Sequence, residues 1–152
     1  MKKIIILIQI LLIITIAGCG NYESIYSSKT NNFNIIAIEV DQTNEINSKI
    51  KNSLKRFSNT NSNKEILIKI NSKKTIVVTS KNSKGDPKTF SMRINLNLDV
   101  NINGQKMNNV FAESFDYNNK SNKFDLKEYE RSIQNNLTDQ IAENITLYLS
   151  TL

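Results

Sequence analysis

From Phe90 to Ile102 every second residue is apolar: Phe90, Met92, Ile94, Leu96, Leu98, Val100 and Ile102 alternate with Ser91, Arg93, Asn95, Asn97, Asp99 and Asn101. Successive side chains of a strand leave on opposite faces, so this stretch lays one face on a hydrophobic core and turns the other to water or to a polar partner. A helix would scatter the same residues around its whole circumference. The chain must therefore build a sheet with one buried face, and the remaining segments must supply its neighbours and its cover.

The flanking segments read accordingly. Asn103-Gly104 is the preferred two-residue hairpin signal. It returns the chain into a strand over residues 105–117, with Met107, Phe111, Phe115 and Tyr117 on one face. Upstream, residues 80–88 form a turn broken by Gly85 and Pro87. It is preceded by a strand over residues 64–80, in which Ile66, Ile68 and Ile70 alternate and Thr75-Ile-Val-Val resumes after polar residues 71–74. That interruption predicts a bulge or a shift of register. Residues 33–40 are short and β-branched, a first strand.

Two segments have helical spacing. After Asn44 as N-cap, Ile46, Ile50, Leu54 and Phe57 share a stripe with Lys49, Lys51, Lys55 and Arg56 outside it, and the polar run 58–63 ends the helix. After residues 118–123, Leu126, Tyr129, Ile133, Leu137, Ile141, Ile145 and Leu149 form one long stripe. Asp125 with Glu128 is the expected capping box there, and Phe124 with Tyr129 the expected staple. The order β-α-β-β-β-α predicts an α+β two-layer sandwich, a four-stranded sheet with both helices on one face.

The N-terminal part is not fold. Met1-Lys2-Lys3 precedes an apolar run over residues 4–16, then Ala17-Gly18-Cys19, the pattern of a secretory signal. At ~1.5 Å per residue the run reaches roughly 20 Å, too short for a hydrocarbon core of about 30 Å. Cys19 is the only cysteine among 152 residues, so no intrachain disulfide can form. Ile16-Ala17-Gly18-Cys19 resembles the lipobox of bacterial lipoproteins, which implies cleavage before Cys19 and fatty-acyl chains, palmitate among them, on its thiol and new N-terminus. Residues 1–18 are then a signal peptide, 19–32 a lipidated tether, and 33–152 the domain. Gly20 rather than Asp follows the cysteine, so the common inner-membrane retention signal is missing and the outer membrane is expected. Two or more acyl chains make a stable anchor at roughly 0.8 kcal/mol per buried methylene.

The side chains for most catalysis are missing. With no histidine, and with its cysteine assigned to lipid, the chain lacks the usual general base and the Ser-His and Cys-His pairs. No metal-ligand spacing occurs. No catalytic residue, no cofactor, no metal and no nucleic-acid partner is expected, and the protein is expected to be non-enzymatic.

Charge is unevenly placed. The chain carries a formal +6. Residues 20–124 hold 16 basic and 9 acidic side chains, residues 125–152 only 2 basic and 5 acidic. If the strand over 90–102 runs antiparallel to both neighbours, the 80–88 turn and the 118–123 loop lie at one end of the sheet. Lys81, Lys84 and Lys88 then approach Lys120 and Lys123, a cationic tip suited to a multiply anionic ligand such as phosphate. If the first two strands are parallel, the tether enters from the opposite end.

Taken together, the sequence resembles the lipopolysaccharide-assembly lipoprotein LptE family, particularly its divergent alphaproteobacterial members. The likeness rests on the lipobox into Cys19-Gly20, on Tyr22-Glu-Ser-Ile-Tyr26 as the family's aromatic-x-Pro-Leu-Tyr segment, and on the element order. The Gly85-Asp86-Pro87 turn before Phe90, and Val110-Phe111 with Ser114-Phe115 before the last helix, complete it. Asn21 stands as an insertion and Ser24 where proline is usual. The resemblance implies an outer-membrane lipoprotein, anchored to the membrane through its N-terminal lipid and facing the periplasm. It would plug and help assemble the LptD β-barrel and take part in lipopolysaccharide transport to the outer leaflet, with Lys81, Lys84, Lys88, Lys120 and Lys123 as ligand-binding candidates. The alternatives are a free-standing periplasmic lipoprotein that binds an envelope ligand or inhibits a secreted enzyme, and a lipid-tethered hydrolase working without histidine.

Overall fold

The computed structural model describes residues 33–152. The lipobox, Cys19 and the tether 19–32 lie outside the described residues. The elements run β1 (Asn34–Val40), α1 (Glu45–Phe57), β2 (Glu65–Lys81), β3 (Pro87–Ile102), β4 (Gln105–Asn118) and α2 (Lys123–Thr151). The sheet order is β1-β2-β3-β4. β1 pairs parallel with β2 across the α1 crossover, and the other two pairings are antiparallel. This is the expected α+β architecture.

β3 is the axis. Met92, Ile94, Leu96, Leu98 and Val100 are all buried, and Arg93, Asn97 and Asp99 between them are exposed. On the same face, β2 contributes Ile66, Ile68 and Ile70, and β4 contributes Phe111 and buried Tyr117. Leu126, Ile133, Leu137, Ile141, Ile145 and Leu149 of α2 and Ile46, Ile50 and Leu54 of α1 close over them as one core. Both helices therefore lie on one side, and among the described residues no element covers the opposite sheet face.

Local chemistry sets the boundaries. The Asn44 side chain accepts a 2.8 Å bond from the Asn47 N–H, capping α1, and Lys55 and Arg56 complement the last turn. Asn103 and Gly104 take φ of 52° and 87°, the two positive values that a tight right-twisting hairpin needs. β1 carries a register irregularity between Ile35 and Ala37.

Three local expectations change. β2 does not break at residues 71–74: pairing with β3 is unbroken from Ile66 to Val78, and the shifts come only at Val78–Ser80 and Ser80–Lys81. The polar residues keep strand parity because they have inward partners. Ser72 is buried and lies 3.5 Å from the Asn44 side chain, and Lys74 donates to Gln134 Oε1 at 2.6 Å. The cap of α2 is Asn122, not Asp125. Its Oδ1 accepts from the Phe124 N–H at 2.9 Å and its carbonyl from Leu126 at 3.1 Å, which starts the helix before the capping box. Phe124 then sits in the first turn, 71% exposed, and staples nothing.

Ile141→Ala should cost about 2–5 kcal/mol in denaturant unfolding, because it empties a fully enclosed site. Phe124→Ala should change stability by no more than about 0.5 kcal/mol, the usual range for a surface substitution.

Candidate functional site

The end of the sheet that holds the 82–86 turn is braced by asparagines. Asn82 Oδ1 accepts from the Lys84 and Asp86 N–H groups, each at 2.9 Å, and its amide donates to Asp86 Oδ2 at 3.1 Å. Gly85 takes φ +87°, a value that any side chain would strain. Across the sheet end, Asn119 donates its backbone N–H to the Lys88 carbonyl and its side chain to the Pro87 carbonyl, both at 2.8 Å. The turn and the β4–α2 loop are thereby stitched together, as the antiparallel pairing requires.

The five lysines follow these backbone anchors. Lys81 pairs with Pro87 across the hairpin, Lys84 sits in the turn, and Lys88 is bonded to the residue before Lys120. Lys123 opens α2. All five are exposed, and among the described residues none is in an ion pair. Asp86, the expected opposing charge, is held by Asn82 instead. The N-terminus of α2 adds the positive end of its dipole to the same end of the sheet.

Lys120 departs from a simple solvated cation. Its Nζ lies 4.4 Å from the centroid of the Tyr129 ring, a cation–π contact. Tyr129 meets Tyr117 edge-on at 6.1 Å, and Tyr117 stacks on Phe90 at 5.5 Å. Tyr117 donates its hydroxyl to Glu130 Oε1 at 2.6 Å. Burial, and then the Glu130 carboxylate, push the Tyr117 hydroxyl well above its usual range. An aromatic floor thus supports the tip from below, which the spacing of these residues in the sequence does not show.

Two further features were not anticipated. On the open face, Leu67, Lys69, Asp99, Asn101, Lys106, Asn108 and neighbours line a concavity of about 530 Å³. There Lys69 pairs with Asp41 at 2.8 Å, and that carboxylate raises the Lys69 ammonium above its ordinary value. Behind the tip, Glu45, Gln134 and Lys74 form a polar relay: Gln134 donates to Glu45 Oε2 at 3.1 Å and accepts from Lys74 at 2.6 Å. Among the described residues no cluster of three or more metal-ligating side chains occurs, and no helix is long and apolar enough to cross a membrane.

No protein-family model and no curated protein matches the sequence. Solved structures do match. The chain is similar to rare lipoprotein B from Shewanella oneidensis, at 12% identity over 78% of this chain and 95% of that one, TM-score 0.60. It is similar to a minor lipoprotein from Acinetobacter baumannii, at 13% identity over 79% and 93%, TM-score 0.55. Lipoprotein B from Nitrosomonas europaea matches at 11% identity over 84% and 88%, TM-score 0.53. The fold is shared with these lipoproteins.

Tyr117→Phe should lower stability by about 1–2 kcal/mol near neutral pH, the value of a hydrogen bond to a charged acceptor at its lower end. Because folding raises the Tyr117 pKa, its contribution is complete below the free tyrosine value of about 10 and declines above it. The difference between wild type and Tyr117→Phe should therefore shrink in denaturation curves taken above pH 10.

Proposed function

We propose that this chain is a non-catalytic outer-membrane lipoprotein that plugs and helps assemble a large β-barrel of the LptD type and takes part in lipopolysaccharide transport to the outer leaflet. The observation that carries the reading is the two-sidedness of the sheet. One face is sealed under both helices, while among the described residues the other is uncovered and presents Asn71, Asn95, Asn97, Asn101 and Asn108 among charges of both signs, Lys69, Lys73, Arg93, Asp99, Lys106 and Asp116. Such a face can hydrogen-bond the polar lumen of a barrel and meet charges of either sign there. The likeness in fold to rare lipoprotein B supports the same reading.

Orientation supports it too. Asn34 pairs with Glu65 at the end of β2 remote from the lysine tip. At ~3.3 Å per residue, β2 separates the two ends by about 50 Å. Acylation of Cys19 would hold the domain at the membrane, and lysines at the far end of the sheet can replace divalent cations on lipid A phosphates. Lys120 is pre-set by Tyr129. The concavity at Lys69 and Lys106 favours a second reading, a free-standing periplasmic lipoprotein that binds an envelope ligand on its open face.

In mild detergent the full chain should co-purify with a stoichiometric outer-membrane β-barrel; recovery alone, with the barrel accounted for elsewhere, would favour the second reading. Charge reversal of Lys84 with Lys88, or of Lys120 with Lys123, should weaken lipopolysaccharide binding several-fold while leaving the circular dichroism unchanged. Undiminished binding in both double variants would remove the tip from the account.

A further inference from the structure

We propose that the outer edge of β2 beyond Ile70 is a strand-addition site for an extended segment whose side chains alternate between apolar and acidic. β1 pairs β2 only from Glu65 to Ile70, and the last bond runs from the Asp41 N–H to the Ile70 carbonyl at 3.4 Å. Ser72 is met by the Asn44 side chain. Among the described residues, no strand pairs with residues 73–81 on that side.

The backbone parity shows which groups stand open. The Asn34 N–H bonds the Lys64 carbonyl and the Asp41 N–H bonds the Ile70 carbonyl. Even-numbered residues of β2 therefore direct their peptide groups toward β1, and odd-numbered ones toward β3. Register with β3 holds to Val78, so the N–H and C=O groups of Lys74, Ile76 and Val78 point outward in a row, ready for a ladder.

Side chains name the occupant. Thr75-Ile76-Val77-Val78-Thr79 is a run of five β-branched residues. Its three apolar members are 39%, 51% and 44% exposed in that order. An uncovered edge of this composition invites pairing. Between Glu65 and Asp86 the chain has no acid, while Lys73 and Lys81 flank the run and Lys84 follows. A second copy paired antiparallel about Val77 would bring Lys73 toward Lys81 of its partner, two like charges. An added strand instead needs apolar side chains beside Ile76 and Val78 on the helix side and carboxylates beside Lys73 on the open side. With a period of two, these demands give alternation, Val77 being the one apolar side chain that shares the open side with Lys73. The inference goes beyond the barrel reading and stands without it.

The test uses the full acylated chain in lipid nanodiscs with a fluorescent ten-residue peptide alternating valine and glutamate. A peptide with lysine in place of glutamate is the control. Expected are saturable anisotropy with the glutamate peptide, at least tenfold weaker binding of the lysine peptide, and slowed amide exchange across residues 74–78. Ile76→Pro, which removes one outward N–H and no β2–β3 bond, should lower affinity at least tenfold. Lys73→Glu with Lys81→Glu should do the same, and it keeps the backbone intact. Equal binding of the two peptides, no binding at all, or slow exchange of residues 74–78 before peptide is added would each overturn the proposal. The last result would assign the edge to the chain's own N-terminal residues or to a second copy.

Discussion

The buried face of β3 is the constraint from which the rest follows. Five of its side chains, Met92 to Val100 at alternate positions, are enclosed, and the strand has sheet neighbours on both sides. A strand placed so must be covered along its length. α2, with 29 residues, supplies a cover of about 44 Å at ~1.5 Å per residue. Because both helices go to the side where the apolar residues point, the opposite face is left mainly to asparagine, serine, threonine and charges of both signs. The polar open face is thus a consequence of one alternation, not a separate design.

A mismatch of lengths explains where the molecule can act. β2 and β3 have 17 and 16 residues, whereas β1 and α1 have 7 and 13. The short pair closes the half of β2 nearest the start of the domain. Among the described residues the far half has no edge partner and exposes Val77 and Val78, and it ends in the lysine-bearing turn.

Much of this was legible in the sequence because it rests on period and on turn chemistry. The alternation of residues 90–102, the Asn103-Gly104 turn and the Asn44 cap each have a single local solution, and each was found. That the 82–86 turn and the loop at Asn119 share one end of the sheet followed from antiparallel pairing alone. What escaped depended on distant partners. Ser72 and Lys74 read as a break because their inward neighbours, Asn44 and Gln134, are 28 and 60 residues away. Asp125 and Glu128 matched a capping box, but Asn122 began the helix first. The Tyr129 ring under Lys120, and the carboxylate beneath Tyr117, belong to packing that no spacing announces.

The account holds that the open asparagine face is what meets the β-barrel. A photoreactive amino acid placed at Asn97 on that face, and in a separate chain at Glu128 on the helical side, tests this in living cells. The account predicts crosslinks from position 97 to an outer-membrane β-barrel and few from position 128. Barrel crosslinks from position 128 alone, or none from either position with the chain fully folded, would contradict it.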